Sequence, residues 1–171
     1  MKKILLPLAT LVAAGAVAVG SGATFTSTSA NTISSVTAGT LSQTNSKDKA
    51  AIFTATDIKP GDTATGSLTI TNTGSLPAKF SLTETASTNT FAASSMTMVI
   101  TNTTTNKVVF SGPFGDLVDG VKTDLGEVAP KAANSYTFSA KLAASAPNAD
   151  QGKVATAAFQ WDSVQVENPA S

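Results

Sequence analysis

The chain has 171 residues, of which 13% are charged, and its 11 basic and 11 acidic residues give a formal net charge of zero. This balance provides no basic surface for nucleic acid or anionic lipid. His and Cys are both absent. Their absence excludes disulfides, thiol nucleophiles, imidazole bases and the commonest metal ligands. The length suits one ordinary domain preceded by a processed segment.

The first 23 residues have the pattern of a secretory signal peptide. Two lysines are followed by an uncharged apolar run at residues 4–19, and Ser21 and Ala23 place small residues at positions −3 and −1 of a cleavage site. The apolar run contains Pro7 and is short for a membrane span. We therefore expect cleavage after Ala23, with retention as an N-terminal anchor as the alternative.

Residues 24–41 are rich in Thr, Ser and β-branched residues, which favour an extended chain. The sparse apolar residues of this segment are Phe25, Ile33, Val36 and Leu41. So few apolar side chains would not hold the segment in a core, but an extended chain can pair with a sheet edge. The polar residues 42–49 that follow predict a loop.

Two turns and a regular alternation of side chains predict the first part of a sheet. Residues 50–58 predict a strand with Phe53 on its apolar face, and Pro60 and Gly61 predict a type II turn. Two alternating strands follow, separated by a reversal at residues 72–76. Their apolar faces consist of Ala64, Gly66, Leu68 and Ile70, and of Ala78, Phe80 and Leu82. Such alternation is typical of an antiparallel sheet with one face in solvent.

The rest of the chain continues this pattern. The predicted elements are a loop at 85–89, a strand at 96–100, a hairpin tip at 101–106, a strand at 107–110, a connection between sheets at 111–126, a strand at 136–142 and a closing strand at 154–166. About eight short strands with frequent turns predict an all-β antiparallel sandwich, jelly-roll or Ig-like. We assign this sandwich to residues 42–167 and a short tail to residues 168–171.

Four aromatic residues fall on the last two predicted strands. They are Tyr136, Phe138, Phe159 and Trp161. Exposed aromatic rings can stack on sugars, but spacing at alternate positions of a strand favours one buried face. We therefore predict that these rings belong to the core.

No constellation of residues predicts catalysis. Without His there is neither a base for a nucleophilic triad nor a zinc-binding His-Glu-x-x-His motif. Glu84, Asp162 and Glu167 are candidates in principle for the paired carboxylates of a glycoside hydrolase. Because acidic residues are mostly exposed, we interpret them as solvated charges near strand ends. The sequence predicts no enzyme and no cofactor.

The densest acidic stretch contains Asp116, Asp119, Asp124 and Glu127. Carboxylates in a Gly-containing loop can hold Ca²⁺, although this spacing differs from that of an EF-hand. The three aspartates are therefore candidates for a calcium site, and a solvated acidic loop is the alternative.

Several short motifs occur in a distinctive order along the chain. They are the small residues and Thr24-Phe25 around the cleavage site, AGTL at 38–41, IKPGD at 58–62, ITNTGSL at 70–76 and FQW at 159–161. Together they resemble the TasA/camelysin family of secreted bacterial biofilm-matrix proteins. Each motif is a turn or a strand face, so their order and spacing carry the resemblance.

The resemblance implies a jelly-roll-like sandwich that polymerises by donor-strand complementation. The N-terminal segment of one subunit would complete a sheet of the next, and such head-to-tail addition gives filaments. The implied polymerisation residues are Thr24, Phe25, Ile33, Val36 and Leu41. The expected partners are further copies of the chain, a signal peptidase and an accessory matrix or anchoring protein, with no nucleic acid.

The resemblance also carries a metallopeptidase label through camelysin. The absence of His argues against that activity. The chain also departs from the best-known members, because it is shorter and lacks their large loop insertions. The sequence therefore predicts a secreted structural subunit of extracellular matrix or cell-surface fibres. The alternatives are a monomeric adhesin or carbohydrate-binding module and, lastly, a camelysin-like metallopeptidase.

Overall fold

The computed structural model describes residues 26–29, 35–37, 40–55, 58–92 and 94–166, and the predicted signal segment lies outside them. Within the described residues the chain forms ten strands and a 3-10 helix at Asn148–Asp150. The strands are β1 (Thr26–Ser29), β2 (Ser35–Thr37), β3 (Thr40–Asn45), β4 (Thr63–Asn72), β5 (Ala78–Asn89), β6 (Met96–Asn102), β7 (Lys107–Pro113), β8 (Lys122–Val128), β9 (Ala133–Leu142) and β10 (Ala155–Gln165).

The strands form two antiparallel sheets that pack together. One sheet has the order β1-β10-β5-β8, and the other has the order β2-β3-β4-β9-β6-β7. Successive strands often belong to different sheets, so the chain crosses repeatedly from one sheet to the other. The predicted all-β sandwich is confirmed.

The hydrophobic core fills the space between the two sheets. Its buried residues are Leu41, Leu68, Ile70, Ala78, Phe80, Leu82, Met96, Met98, Ile100, Phe114, Leu117, Val128, Tyr136, Phe138, Ala140, Leu142 and Trp161. The ring centroid of Trp161 lies 5.0 Å from that of Tyr136 and 6.4 Å from that of Phe138. Phe159, which is half-buried, contacts Phe138 at 5.1 Å. The prediction that these four aromatic rings belong to the core is confirmed.

The two predicted turns around β4 form as expected. Gly61 has a φ of 95°, which a Gly adopts without steric cost, and Asp62 N–H donates to the Lys59 carbonyl at 2.9 Å. At the other end, the side chain of Asn72 accepts from Gly74 N–H and donates to the carbonyls of Leu76 and Val128. These bonds hold the reversal between β4 and β5.

The predicted strand at residues 50–58 is wrong. Residues 50–55 form an irregular segment, the strap, between β3 and β4. Ile52 and Phe53 are consecutive, yet both pack against the core. Because neighbouring side chains of a strand point to opposite faces, an irregular backbone is needed to bury both.

Three predicted loops are also wrong in part. The segment 42–49 contributes to β3, the segment 85–89 belongs to the end of β5, and the connection at 111–126 contains the end of β7 and most of β8. In each case polar Thr, Ser and Asn residues occupy a paired strand. Pairing with a neighbouring strand satisfies their backbone groups, so the polar side chains do not indicate a loop.

Candidate functional site

Among the described residues, the most unusual feature of the sandwich is an edge of β10 that is only partly paired. On one side β10 pairs with β5 along its whole length, from Ala155 to Gln165. On the other side it pairs only with the four residues of β1, opposite Trp161–Val164. Among the described residues, no strand pairs with residues 155–160 on the β1 side. An unpaired edge presents backbone donors and acceptors to which another extended chain can bind.

A cavity of about 920 Å³ lies beside this unpaired edge. Its wall includes Ala155, Ala157 and Phe159 of β10. The six-stranded sheet contributes Ala64, Met96, Met98 and Ala140 to the lining, and Phe91 and Phe114 also line the cavity. We call the space between the β10 edge and the strap the β10 groove. Small Ala side chains on β10 leave this groove wide, and its lining is predominantly apolar.

The strap forms the wall of the groove that faces β10. Ala51–Ala55 contribute to the large cavity, and Asn45, Ala50 and Ile52 line a second space of about 220 Å³ opposite Ala157–Trp161. The groove therefore follows the β10 edge over most of its unpaired length.

Gly66 of β4 is the position that admits the strap. A Cβ built on Gly66 would overlap the carbonyl oxygen of Ile52 and lie 2.7 Å from the Cβ of Phe53. Only a residue without a side chain allows the strap backbone to approach β4 so closely. A Gly on the inward face of an alternating strand is a sequence signal for such an approach, although the sequence does not show which segment approaches.

The N-terminal segment contacts both sheets of its own chain. Thr26–Ser29 pair with β10 in the four-stranded sheet, whereas Ser35–Thr37 pair with β3 in the six-stranded sheet. Gln43 of β3 donates from Nε2 to the Trp161 carbonyl at 2.9 Å. This bond fixes β3, and with it β2, near the end of the β1–β10 ladder.

The structure separates the five predicted polymerisation residues. Leu41 is fully buried in its own core, and it lies opposite Val36 in the β2–β3 hairpin. Leu41 therefore contributes to the core of its own subunit. Thr24, Phe25 and Ile33 lie outside the described residues. The unpaired β10 edge was not predicted, because strand order depends on tertiary pairing.

The carboxyl group of Glu84 is buried within β5. Glu84 is 0% exposed, and neither of its carboxylate oxygens has a hydrogen-bond partner among the described residues. Burial raises its pKa to about 7, and the negative charges of Asp119 and Asp116 add to the increase. The interpretation of Glu84 as a solvated charge is therefore wrong.

Asp162 is also buried, and its interpretation as a solvated charge is wrong as well. Its carboxylate lies 3.1 Å from Lys122 Nζ and accepts a hydrogen bond from Gln160 Nε2. Trp161 and Leu82 both point into the core. Asp162 is next to Trp161 and therefore points to the outer face, whereas Glu84 is two residues from Leu82 and points to the core face. Side chains alternate along a strand, so Glu84 and Asp162 lie on opposite faces of one sheet and do not form a hydrolase pair. Glu167 lies outside the described residues.

The acidic stretch does not assemble a metal site among the described residues. Asp116 and Asp119 are exposed in the β7–β8 connection, and Asp124 accepts a hydrogen bond from Gly126 N–H. The described part of the chain contains no group of three His, Cys, Asp or Glu side chains that could hold a metal ion. Since His and Cys are absent from the whole sequence, the residues present do not fit the zinc site of a metallopeptidase.

No helix among the described residues is long and apolar enough to cross a bilayer.

Comparison with known proteins identifies the family. A search of curated proteins found no match. The family model for camelysin metallo-endopeptidases matches residues 1–97, which is more than half of the chain. The matched part includes the predicted signal segment, β1 to β5 and the strap, whereas most of β6 and all of β7 to β10 lie beyond it. The chain therefore belongs to the camelysin metallo-endopeptidase family.

Proposed function

We propose that this protein is a secreted structural subunit that polymerises into extracellular fibres of a biofilm matrix. One copy would bind the next by β-strand addition, with its N-terminal segment as the donor and the β10 edge as the acceptor. The observation that carries this proposal is the edge of β10 at residues 155–160, which lies beside an apolar groove and pairs with no other described residue on the β1 side.

Each chain pairs with its own N-terminal segment through a short ladder, which supports this exchange. The ladder between β1 and β10 contains four residue pairs, whereas β5 and β10 are paired along eleven residues of β10. Releasing β1 therefore breaks few hydrogen bonds, and a neighbouring copy can replace them. Repeated head-to-tail exchange produces an open filament because each subunit keeps one donor and one acceptor.

A structural role agrees with the chemistry of the domain. The family name indicates a metallo-endopeptidase, but the chain lacks His and Cys. The described residues bring no suitable carboxylate cluster together in their place. We therefore propose that this member has no peptidase activity.

Deletion of residues 24–32 tests the proposal. The variant should form no filaments in negative-stain electron microscopy but should keep a β-sheet circular dichroism spectrum, because the core residues lie after this segment. The matched control is the mature chain without residues 168–171, which should polymerise normally. Filaments of unchanged length and number from the deletion variant would refute the proposal.

The same experiment examines the alternative functions. A monomeric adhesin or carbohydrate-binding module would stay monomeric at high concentration with or without residues 24–32 and would bind a glycan. The described aromatic residues give this alternative no support, since Tyr136, Phe138 and Trp161 are buried and cannot offer a stacking surface.

A further inference from the structure

We propose that the connection between β7 and β8 is a lid that opens when the buried carboxyl group of Glu84 loses its proton. The lid consists of residues 114–121 of this connection. Opening would bring the Glu84 side chain into contact with water and uncover the part of the large cavity that Phe114 lines. The movement takes place within one subunit, so it does not depend on polymerisation.

The lid is attached to the end of β5 that carries Glu84. Three hydrogen bonds join them: Gly120 N–H donates to the Glu84 carbonyl at 2.8 Å, Asn89 Nδ2 donates to the Phe114 carbonyl at 2.9 Å, and Ser87 Oγ donates to the Gly115 carbonyl at 3.3 Å. Among the described residues, β8 pairs with β5 only from Ala78 to Thr83. The lid therefore takes the place of a neighbouring strand beside the last part of β5, with fewer bonds than a strand would make.

Two side chains of the lid are buried in the core. Phe114 and Leu117 are 6% and 8% exposed, whereas Val118 and Val121 are 67% and 55% exposed. A segment with few buried apolar side chains and an exposed backbone opens locally at a lower free energy than the paired strands around it. The lid can therefore move without unfolding of the two sheets.

Glu84 lies on the core side of its sheet, directly opposite Phe159 of β10. Its side chain is fully buried, and among the described residues neither carboxylate oxygen has a hydrogen-bond partner. A protonated carboxyl group tolerates such a place better than a carboxylate does, because burial of an unpaired charge is costly. Loss of the proton therefore favours a conformation in which water reaches Glu84.

The charges of the lid act in the same direction. Burial raises the pKa of the Glu84 carboxyl to about 7, and the negative charges of Asp119 and Asp116 add to the increase. Both aspartates belong to the lid and are exposed. When Glu84 ionises, like charges lie on both sides of the contact between β5 and the lid, and their repulsion favours separation.

The other buried titratable groups do not neutralise this charge. Among the described residues they are Tyr136, Asp150 and Asp162. Asp162 points to the outer face of the sheet, where Lys122 lies 3.1 Å from it. Burial raises the pKa of Tyr136 from 10.0, so its hydroxyl stays uncharged near neutral pH. Asp150 is itself acidic and accepts a hydrogen bond from Ala92 N–H.

The charged side chains of β8 also lie away from Glu84. They are Lys122, Asp124 and Glu127, which pair with Thr83, Ser81 and Lys79 of β5. These three β5 residues alternate with the buried Leu82 and Phe80 and therefore face outwards. Lys153, in the loop before β10, is exposed. The charges that act on Glu84 are therefore those of the lid.

Phe114 connects the lid to the large cavity. It lines the cavity together with Phe91 and Phe159, and Phe159 is the residue opposite Glu84. Movement of the lid would withdraw Phe114 from this lining. Water and small apolar solutes would then enter the cavity more easily above neutral pH than below it.

Hydrogen exchange of the natural chain at pH 4.5 and pH 8.5 tests the movement. The closed lid keeps Glu84 protonated, so closure is most stable below about pH 4.5 and is weakened as the pH rises through about 7. Protection factors, which correct for the intrinsic pH dependence of exchange, should fall at least about tenfold at Gly120 N–H over this range.

An amide outside the lid serves as the internal control. Thr103 N–H donates to the Ser135 carbonyl at 2.8 Å and should keep its protection at both pH values. An equal loss of protection at Gly120 and Thr103 would mean that the whole domain loosens, and it would overturn the proposed lid.

Three variants link the movement to Glu84. Glu84→Gln cannot ionise and should keep Gly120 N–H protected at both pH values. Asp119→Asn removes one repelling charge and should reduce the loss of protection. Glu127→Gln, on the outer face of β8, is the matched control and should behave like the natural chain. A loss in Glu84→Gln as large as that of the natural chain would contradict the proposal.

Binding of the neutral dye Nile red measures access to the cavity without any substitution. Its fluorescence should rise at least about twofold from pH 4.5 to pH 8.5, because the open form becomes more populated. The rise should be absent with Glu84→Gln. Constant fluorescence with the natural chain would overturn the opening of the cavity.

Discussion

Individual polar residues in this sandwich are buried for different reasons. Asn72 makes three hydrogen bonds that hold the turn after β4, so its burial is fully compensated. Glu84 is equally buried but has no hydrogen-bond partner for its carboxylate oxygens among the described residues. Its neighbours Asp116 and Asp119 are acidic and oppose its ionisation. Glu84 therefore destabilises the fold in a pH-dependent way, whereas Asn72 stabilises the turn after β4.

Stability should fall as the pH rises through neutrality because of Glu84. The pKa of the Glu84 carboxyl is about 7 in the folded protein, whereas its ordinary value of 4.5 applies to the unfolded chain. Between these two pH values the folded state therefore retains a proton that the unfolded state has released. The loss of stability begins near pH 4.5, levels off above about pH 7 and amounts to roughly 3 kcal/mol in total. Glu84→Gln should remove this dependence and raise the urea midpoint at pH 8.

Urea unfolding between pH 4.5 and pH 8.5 measures the effect. Glu127→Gln, which changes an exposed carboxylate on the neighbouring strand β8, is the matched control and should follow the natural chain. If Glu84→Gln showed the same pH dependence as the natural chain, the proposed titration would be wrong.

At the level of single elements, the strap and β10 together create the groove. The strap forms no strand, and its backbone packs closely against Gly66. Among the described residues, β10 has a partner on the β1 side only at Trp161–Val164. The two elements face each other across an apolar space, and the position of the strap controls the width of that space.

Gly66→Ala should therefore destabilise the strap. The new methyl group would overlap the Ile52 carbonyl, so the strap must move outwards and lose its contacts with the core. We expect a loss of about 1–3 kcal/mol in the free energy of unfolding and faster amide hydrogen exchange at residues 51–55. The control is Thr65→Ala on the exposed, opposite face of β4. Unchanged exchange in the strap of Gly66→Ala would contradict the close approach.

For the whole molecule, the family name and the residue inventory point to different activities. The family is described as a metallo-endopeptidase, but no residue set in the described part of this chain fits a catalytic metal. A sandwich without such a site can still act as the subunit of an assembly if the edges of its sheets can pair with strands of other copies.

A chelator should therefore leave this protein unchanged. We expect the same thermal midpoint and the same filament yield with and without EDTA, and no cleavage of casein in either condition. The control for the assay is an established zinc peptidase under identical conditions. Casein cleavage that EDTA abolishes and zinc restores would show that the chain is a peptidase after all.

Much of the fold follows from local signals. The alternation around Leu68, Ile70, Phe80 and Leu82 predicts paired strands, and the Pro60-Gly61 turn predicts their connection, because side-chain direction and backbone φ are local properties. The strap was predicted wrongly since Ile52 and Phe53 pack on partners distant in sequence. Nothing in the sequence indicated that Glu84 is buried, and an acidic residue is expected to be exposed because most acidic residues are.

The sequence by itself determined the sandwich class, the aromatic core and the absence of reactions that need His or Cys. Composition and period-2 alternation can be recognised without knowing which residues are in contact in the folded protein. The order of the strands was decided only by the tertiary structure. Within the described part of the chain, that order gives residues 155–160 of β10 a partner on the β5 side alone and places small Ala side chains beside a cavity. Pairing between distant segments depends on which edges meet in space, and it is this pairing that provides the candidate binding site.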